Sequence, residues 1–435
     1  MKQKLPTREL LALGFFMFAL FLGAGNIIFP PILGQQAGES LWPAVFGFLA
    51  TGVGLPLLAI IAVSAGGNLD NLARRVSPGF QYIFPFIIYL AIGPFFGIPR
   101  TGTVAYEIGV LPFLPEDSGG GLFIFTLIFF AITFWLALNP AKLVDRIGKL
   151  ITPILFALIV IIAIKGFSSP MDPIGQPLGK YIQNAFFSGF NEGYLTMDAI
   201  AALVFGLVII NRIKEKGLTE VADIRSYTIK AGVIAGIGLS FVYITLAYMG
   251  ATSVDTVGLQ DNGGAVLAAV ASHLFGPYGS IILAVVIIGA CLTTSIGLVS
   301  ACGEFLSQRI KGISYRAMIT IICLFSLTMA NLGLSQLIAV SLPVLTAIYP
   351  VAIVLILLSL VHAIKAVPRK VYLGGIIGAA IVSIYDGFIS AGFEIEMVTE
   401  WTSYLPFMAN GVGWIVPSFI GMLLGFISHG LQRNG

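Results

Sequence analysis

Residues 289–297, GACLTTSIG, set Thr293, Thr294 and Ser295 side by side inside an otherwise apolar run. A lone threonine in mid-helix ordinarily bonds the carbonyl four residues back. Adjacent hydroxyls among small residues can instead offer neutral oxygens to a hard cation such as Na⁺, above all beside a backbone carbonyl freed from a helix. A source for such a carbonyl is FLGAGNIIFPP, residues 21–31, where Gly23, Gly25, Asn26, Pro30 and Pro31 interrupt an uncharged run from Leu10 to Leu33. A third stretch, FFSGFNEGYLTMDAIAALVFG at 186–206, is interrupted in the same manner by Ser188, Gly189, Asn191, Glu192 and Gly193. In hydrocarbon each backbone group left unpaired by a break costs several kcal/mol, so a break deep in a span predicts something polar bound there. Glycines that let helices approach closely are the alternative for either break alone; the matched pair favours binding.

These residues need spans to hold them at depth. The chain has 435 residues, 57% apolar and 10% charged, and that is more apolar surface than a soluble globule can bury. Windows of roughly 20 apolar residues recur at 10–33, 42–65, 80–106, 121–138, 147–165, 182–210, 228–250, 278–303, 315–331, 335–361, 371–391 and 411–429, an expected twelve membrane helices. The start, MKQK, leads into a run too long for a signal peptide and without a small-residue cleavage site, so it is read as the first span. With the N-terminus inside, all of the 23 lysines and arginines except Arg100, Lys165 and Lys180 fall on one side, Lys2, Lys4, Lys142, Arg146, Lys149 and Arg433 among them. Both termini are therefore expected in the cytoplasm, and the net charge of +3 reports topology rather than a nucleic-acid partner. The opposite loops are acidic, with Glu116, Asp117, Asp255, Asp261, Glu396 and Glu400.

On this placement Gly23 and Gly25 lie about 20 Å from the inner boundary, near the bilayer midplane. The two interrupted spans are the first and the sixth. A repeat of five spans enters the membrane from the opposite side the second time, as in many secondary transporters. One transmembrane domain over 1–435 is expected, with helices 1–5 at 10–165, an inverted second repeat at 182–361 and two further helices at 371–429.

Other chemistry finds little support. Cys291, Cys302 and Cys323 have no CxxC spacing, and His273, His362 and His429 are dispersed. No paired catalytic carboxylates and no GxxxxGK[ST] occur, so neither an enzyme nor direct use of ATP is expected, and no resident cofactor. Charges inside spans are functional by default. Arg100 and Glu107 are seven residues apart on one face of the third span, and Arg100 reads either as an external gate with Glu107, Glu192 or a substrate carboxylate, or as half of a snorkelling interfacial pair. Asp198 reads as a proton or cation relay or as a capping residue, with structure favoured; Asp386 and Glu394 look peripheral.

FLGAGNIIFPP, GPFFGIPRTGTVAYE (93–107) and EGYLTMDAIAALVFG (192–206) resemble the branched-chain amino acid:cation symporter family of the BrnQ type, and the likeness runs over essentially the whole chain. More distantly the first and eighth spans look like those of the leucine-transporter fold, with ten core helices in two inverted repeats. The resemblance implies a sodium site made by the carbonyls of Ala19 and Leu22 with Ala290, Thr293 and Thr294. It also implies a substrate carboxylate on the amides of Ala24 and Gly25, next to Gly23, with Asn26 at the position of a side-chain ligand for a second sodium. A half-helix N-terminus does suit a carboxylate, and half-helix carbonyls suit an ammonium. Phe190 and Tyr194 are candidates for an apolar wall that would select an aliphatic side chain. The expected function is Na⁺-coupled import of leucine, isoleucine and valine through the bacterial cytoplasmic membrane, with lipid and these solutes as the only partners. The alternative is the same fold carrying another amino acid or small amphipathic solute, coupled to a cation or to protons.

Overall fold

The computed structural model of the chain describes residues 5–115, 120–139 and 152–434. The expected contributions of Lys2, Lys4, Glu116, Asp117, Lys142, Arg146 and Lys149 to the charge pattern lie outside these residues, as does the start of the span expected at 147–165. Every regular element among the described residues is helical: α1 (Thr7–Phe21), α2 (Ala24–Ala37), α3 (Leu41–Leu49), α4 (Leu55–Gly66), α5 (Leu69–Arg74), α6 (Pro78–Leu90), α7 (Gly97–Gly109), α8 (Gly121–Ala137), α9 (Thr152–Ser168), α10 (Tyr181–Glu192), α11 (Asp198–Glu215), α12 (Val221–Ala251), α13 (Val254–Val257), α14 (Gly263–Phe275), α15 (Pro277–Arg309), α16 (Tyr315–Ala330), α17 (Leu334–Ile364), α18 (Arg369–Ser390), α19 (Glu396–Ser403) and α20 (Ile415–Asn434). Wider π-helical turns at Ala50–Gly54 and Ala91–Phe95 join α3 to α4 and end α6.

Among the described residues seven helical stretches are long and apolar enough to cross a membrane, or eight when Tyr181–Thr196 and Asp198–Glu215 are taken together. The difference from twelve has local causes. The spans expected at 121–138 and 315–331 fold as shorter apolar helices, as does the described part of the one expected at 147–165, and the first expected span is two helices, α1 and α2, parted at Leu22 and Gly23. Large apolar side chains stand outward on many of these helices, Tyr82, Ile83, Trp135, Ile381, Phe419 and Phe426 among them, each at least 60% exposed. In water that surface would be untenable; against lipid tails it is the expected finish.

The chain divides into two compact units. The first holds Met1–Val53, Leu90–Met197 and Lys230–Ile338, and the second holds Gly54–Tyr89, Asp198–Ile229 and Ala339–Gly435. Each thus takes segments from both of the stretches expected as repeats. In the first unit α15 packs along α7 and α10 along α3. That second crossing is close because both sides are glycine: a Cβ on Gly47 would overlap the Phe186 carbonyl, and one on Gly189 the Ala44 carbonyl. In the second unit α18 packs along α20, where Gly374 and Gly421 bring the two backbones into contact, and α11 packs along α4.

Candidate substrate and cation site

All residues of the candidate site except Asp198 belong to the first unit. α1 makes its last intrahelical bond from Leu22 N–H to Phe18 O, 2.8 Å. The carbonyls of Ala19, Leu20, Phe21 and Leu22 therefore receive no donor from α1 itself. Gly23 is extended (φ −113°, ψ −168°), and α2 restarts at Ala24. The interruption is thus two residues long, and Ala24, Gly25 and Asn26 form the first turn of α2, whose amides have no acceptor within that helix. Carbonyls carrying partial negative charge and amides carrying partial positive charge meet within one buried stretch, residues 21–30. Pro30 and Pro31, expected to bend or end the span, sit inside α2; lacking N–H groups, they withdraw the donors that the Asn26 and Ile27 carbonyls would otherwise accept from.

α15 brings its hydroxyls to this point. Thr294 Oγ1 donates to Leu22 O at 3.2 Å, a contact between residues 272 positions apart. Glycine at 23 eases this approach, because a Cβ would lie 3.1 Å from Thr294 Cγ2 and 3.2 Å from its hydroxyl, a tight contact. Thr293 donates to Ala290 O in its own helix, 2.9 Å. Ser295 accepts from Thr133 of α8 at 3.4 Å. Ala19, Leu22, Ala290 and Thr293 are all at most 2% exposed, so any ion among these oxygens would be shielded from bulk water.

The sixth-span segment meets α2 from the other side. A Cβ on Gly25 would fall 3.0 Å from Thr196 Cα and 3.3 Å from Leu195 O. The interruption in this segment lies later than expected. Ser188, Gly189, Asn191 and Glu192 remain helical in α10, Gly193–Thr196 forms a tight turn, and the break is at Met197, held in the left-handed conformation at φ +64°. That conformation costs a non-glycine residue on the order of 1–3 kcal/mol. The small residues upstream serve packing instead: Gly189 admits Ala44, and Gly193 lies against Thr51, whose hydroxyl donates to Phe190 O at 2.7 Å. The sequence cue of glycine and polar residues was genuine, but it marked a helix crossing.

Arg100, on α7, is 2% exposed and donates from Nη1 to Leu195 O at 2.6 Å, with its guanidinium 5.6 Å from the Phe29 ring centroid on α2. Its expected carboxylate partners are engaged elsewhere: Glu192 pairs with Lys180, and Glu107 Oε1 accepts from the Leu334 amide at the start of α17, 3.2 Å. Asp198 is the first residue of α11, in the second unit, directly after the break at Met197. A carboxylate in a first helical turn is favoured by the helix dipole. Phe190 and Tyr194 lie together, ring centroids 5.6 Å apart. An apolar cavity in this unit, lined by Ile27, Ile162, Leu246, Leu267, Leu283 and Ile287, has neither aromatic in its wall. Asp386 is half-buried in α18, in the second unit.

Asn26 has a role that the sequence reading did not contain. Its Oδ1 accepts from Gly23 N–H at 3.0 Å, and its Nδ2 donates to the hydroxyl of Tyr243 on α12. Nothing in the surrounding FVYITL marks Tyr243, and Leu195, Thr196 and Met197 had only their neighbourhood to flag them.

A profile of the family described as branched-chain amino acid transport protein matches residues 6–432. The chain belongs to that family. Among curated relatives, the branched-chain amino acid permease BraB of Bacillus subtilis (strain 168) is 49% identical over 432 residues, 98% of this chain and 97% of that protein. The permease BrnQ of Escherichia coli (strain K12) is 41% identical over 428 residues, with 98% and 97% covered. Of solved structures, MhsT in complex with L-phenylalanine matches at TM-score 0.56 and 14% identity, covering 96% of this chain and 98% of that one. Mhp1, a nucleobase-cation-symport-1 family transporter in a closed conformation, matches at TM-score 0.60 and 13% identity, covering 96% and 91%. Those identities carry the fold alone, which is leucine-transporter-like. The protein is a multi-pass membrane transporter of this family and not an enzyme.

Proposed function

We propose that the protein imports leucine, isoleucine and valine across the bacterial cytoplasmic membrane together with Na⁺, by alternating access around the paired interruptions of its first and sixth spans. The observation that carries this reading is the meeting of the Leu22 carbonyl with the Thr294 hydroxyl, 3.2 Å apart, at the C-terminal end of a half-helix. Oxygens at that separation can share one hard cation at roughly 2.3–2.6 Å from each, with the Ala19 and Ala290 carbonyls and the Thr293 hydroxyl as further ligands. The substrate carboxylate is assigned to the amides of Ala24 and Gly25, and its ammonium to carbonyls of the sixth-span turn, which packs on Gly25. Phe190 and Tyr194 are assigned to the wall around the aliphatic side chain. The substrate class follows from the family and from the printed names of the relatives at 41–49% identity. Arg100 is assigned to an external gate through its hold on Leu195 and Phe29, and Asp198 to capping α11. Twelve spans in two inverted repeats plus two helices, with both termini cytoplasmic, is the topology that the charge pattern supports.

The test is accumulation of labelled leucine in proteoliposomes under an imposed inward Na⁺ gradient. Uptake against a leucine gradient, competed by isoleucine and valine and abolished when choline replaces Na⁺, is the expected result. Equal uptake in choline, driven by an imposed proton gradient, would overturn the sodium assignment and leave the transporter.

A further inference from the structure

Leu22 C=O and Gly23 N–H are the two ends of one peptide group. The carbonyl end receives Thr294, and the amide end donates to Asn26 Oδ1 at 3.0 Å. In a trans peptide the two point in opposite directions, so fixing the N–H fixes where the carbonyl aims. What fixes Asn26 is then the question. Its amide can be turned either way about its last torsion, but Gly23 N–H can only donate and so selects the oxygen. The nitrogen is left to donate outward, and its acceptor is the hydroxyl of Tyr243. Tyr243 is itself held: it is 1% exposed, and its ring packs edge-on against Phe48, centroids 5.1 Å apart at 90°. A continuous set of contacts thus runs from Phe48 through Tyr243, Asn26 and the Gly23 amide to the Leu22 carbonyl.

We propose that Tyr243 is a positioning residue for the cation site, holding the Leu22 carbonyl toward Thr294 through Asn26 while touching neither ion nor substrate. The proposal rests on the reading that Leu22 and Thr294 bind Na⁺. Removal of a hydrogen-bonding group one step behind a ligand typically weakens metal affinity about 10- to 100-fold. A low-end effect is expected, since Asn26 stays attached to Gly23.

Tyr243→Phe keeps the ring and its packing on Phe48. In proteoliposomes it is expected to raise the Na⁺ concentration for half-maximal leucine uptake about tenfold, while the maximal rate and the leucine KM at saturating Na⁺ stay near wild type. A purely structural tyrosine would lower the maximal rate instead, and Na⁺ would not restore it; that pattern overturns the proposal, as does an unchanged half-saturation. A cycle with Asn26→Ser checks the route. Because Tyr243 acts through Asn26, adding Tyr243→Phe to Asn26→Ser is expected to change nothing further, and additive losses overturn the proposal. Na⁺-dependent thermal stabilisation of the purified variants, with K⁺ as control, reads the same affinities without transport. Wild-type uptake indifferent to Na⁺ would remove the underlying reading and this proposal together, whereas Na⁺-dependent wild type with an unaffected Tyr243→Phe removes the proposal alone.

Discussion

Thr294→Ala removes a hydroxyl together with the neighbouring γ-methyl, and the structure allows the effect of losing the hydroxyl to be sized. The hydroxyl is buried, with Thr294 8% exposed, and serves the Leu22 carbonyl at 3.2 Å. Taking away one partner of a buried pair costs about 1–3 kcal/mol, because the other group keeps its desolvation penalty. If the same hydroxyl also ligates Na⁺, that loss falls on the bound state, and the half-saturating Na⁺ concentration for leucine uptake rises roughly 5- to 150-fold. The assay is initial uptake of labelled leucine into proteoliposomes over a Na⁺ series at constant ionic strength with choline. Thr294→Ser supplies the control, since it restores the oxygen at the cost of a methyl group and is expected to lie near wild type. A Thr294→Ala carrier with wild-type half-saturation would refute the reasoning, and so would a Thr294→Ser carrier as impaired as Thr294→Ala.

Gly25→Val pushes a branched side chain into the Thr196 backbone, already 3.0 Å from where a Cβ would sit, and is expected to abolish leucine binding while expression persists, read by radioligand binding in detergent. Arg100→Gln removes the charged donor to Leu195 O; the leucine KM is expected to rise about tenfold, and Arg100→Lys to recover part of the loss, from the 1.5–3 kcal/mol typical of charge-assisted bonds. Gly189→Leu places atoms where the Ala44 carbonyl stands, an overpacking cost of about 1–3 kcal/mol that thermal-shift measurement reports as a lower midpoint. In competition assays alanine is expected to be a far weaker inhibitor than valine, at about 1–3 kcal/mol for each missing methylene in an apolar site.

Much of the fold was legible because membrane helices announce themselves locally. An apolar run long enough to span, bounded by lysine and arginine on alternate ends, needs no partner to be recognised. The first interruption was legible too, from Gly23 and Gly25 close to Asn26, whereas Pro30 and Pro31 sit inside α2. The second was misread by four residues or so. Glycine in a membrane helix serves both a break and a close crossing, and Gly189 serves the crossing with α3. The break fell on Met197, whose side chain gives no warning of a left-handed backbone. Helix ends were less legible: α8 and α16 stop one residue short of the expected windows 121–138 and 315–331.

The sequence by itself determined that the protein lives in a membrane, that glycines and an asparagine fall within its first apolar run, and that three hydroxyls stand side by side at residues 293–295. Those are properties of neighbours along the chain. Only the tertiary structure decided that Thr294 and not Thr293 crosses to the Leu22 carbonyl, that Arg100 reaches the Leu195 carbonyl, and that Tyr243 stands behind Asn26. The physical reason is distance along the chain. These pairs are 95 to 272 residues apart, and which of several equivalent hydroxyls or carbonyls meets a given partner depends on how helices rotate and cross, which glycine contacts and side-chain packing set only when the unit is assembled.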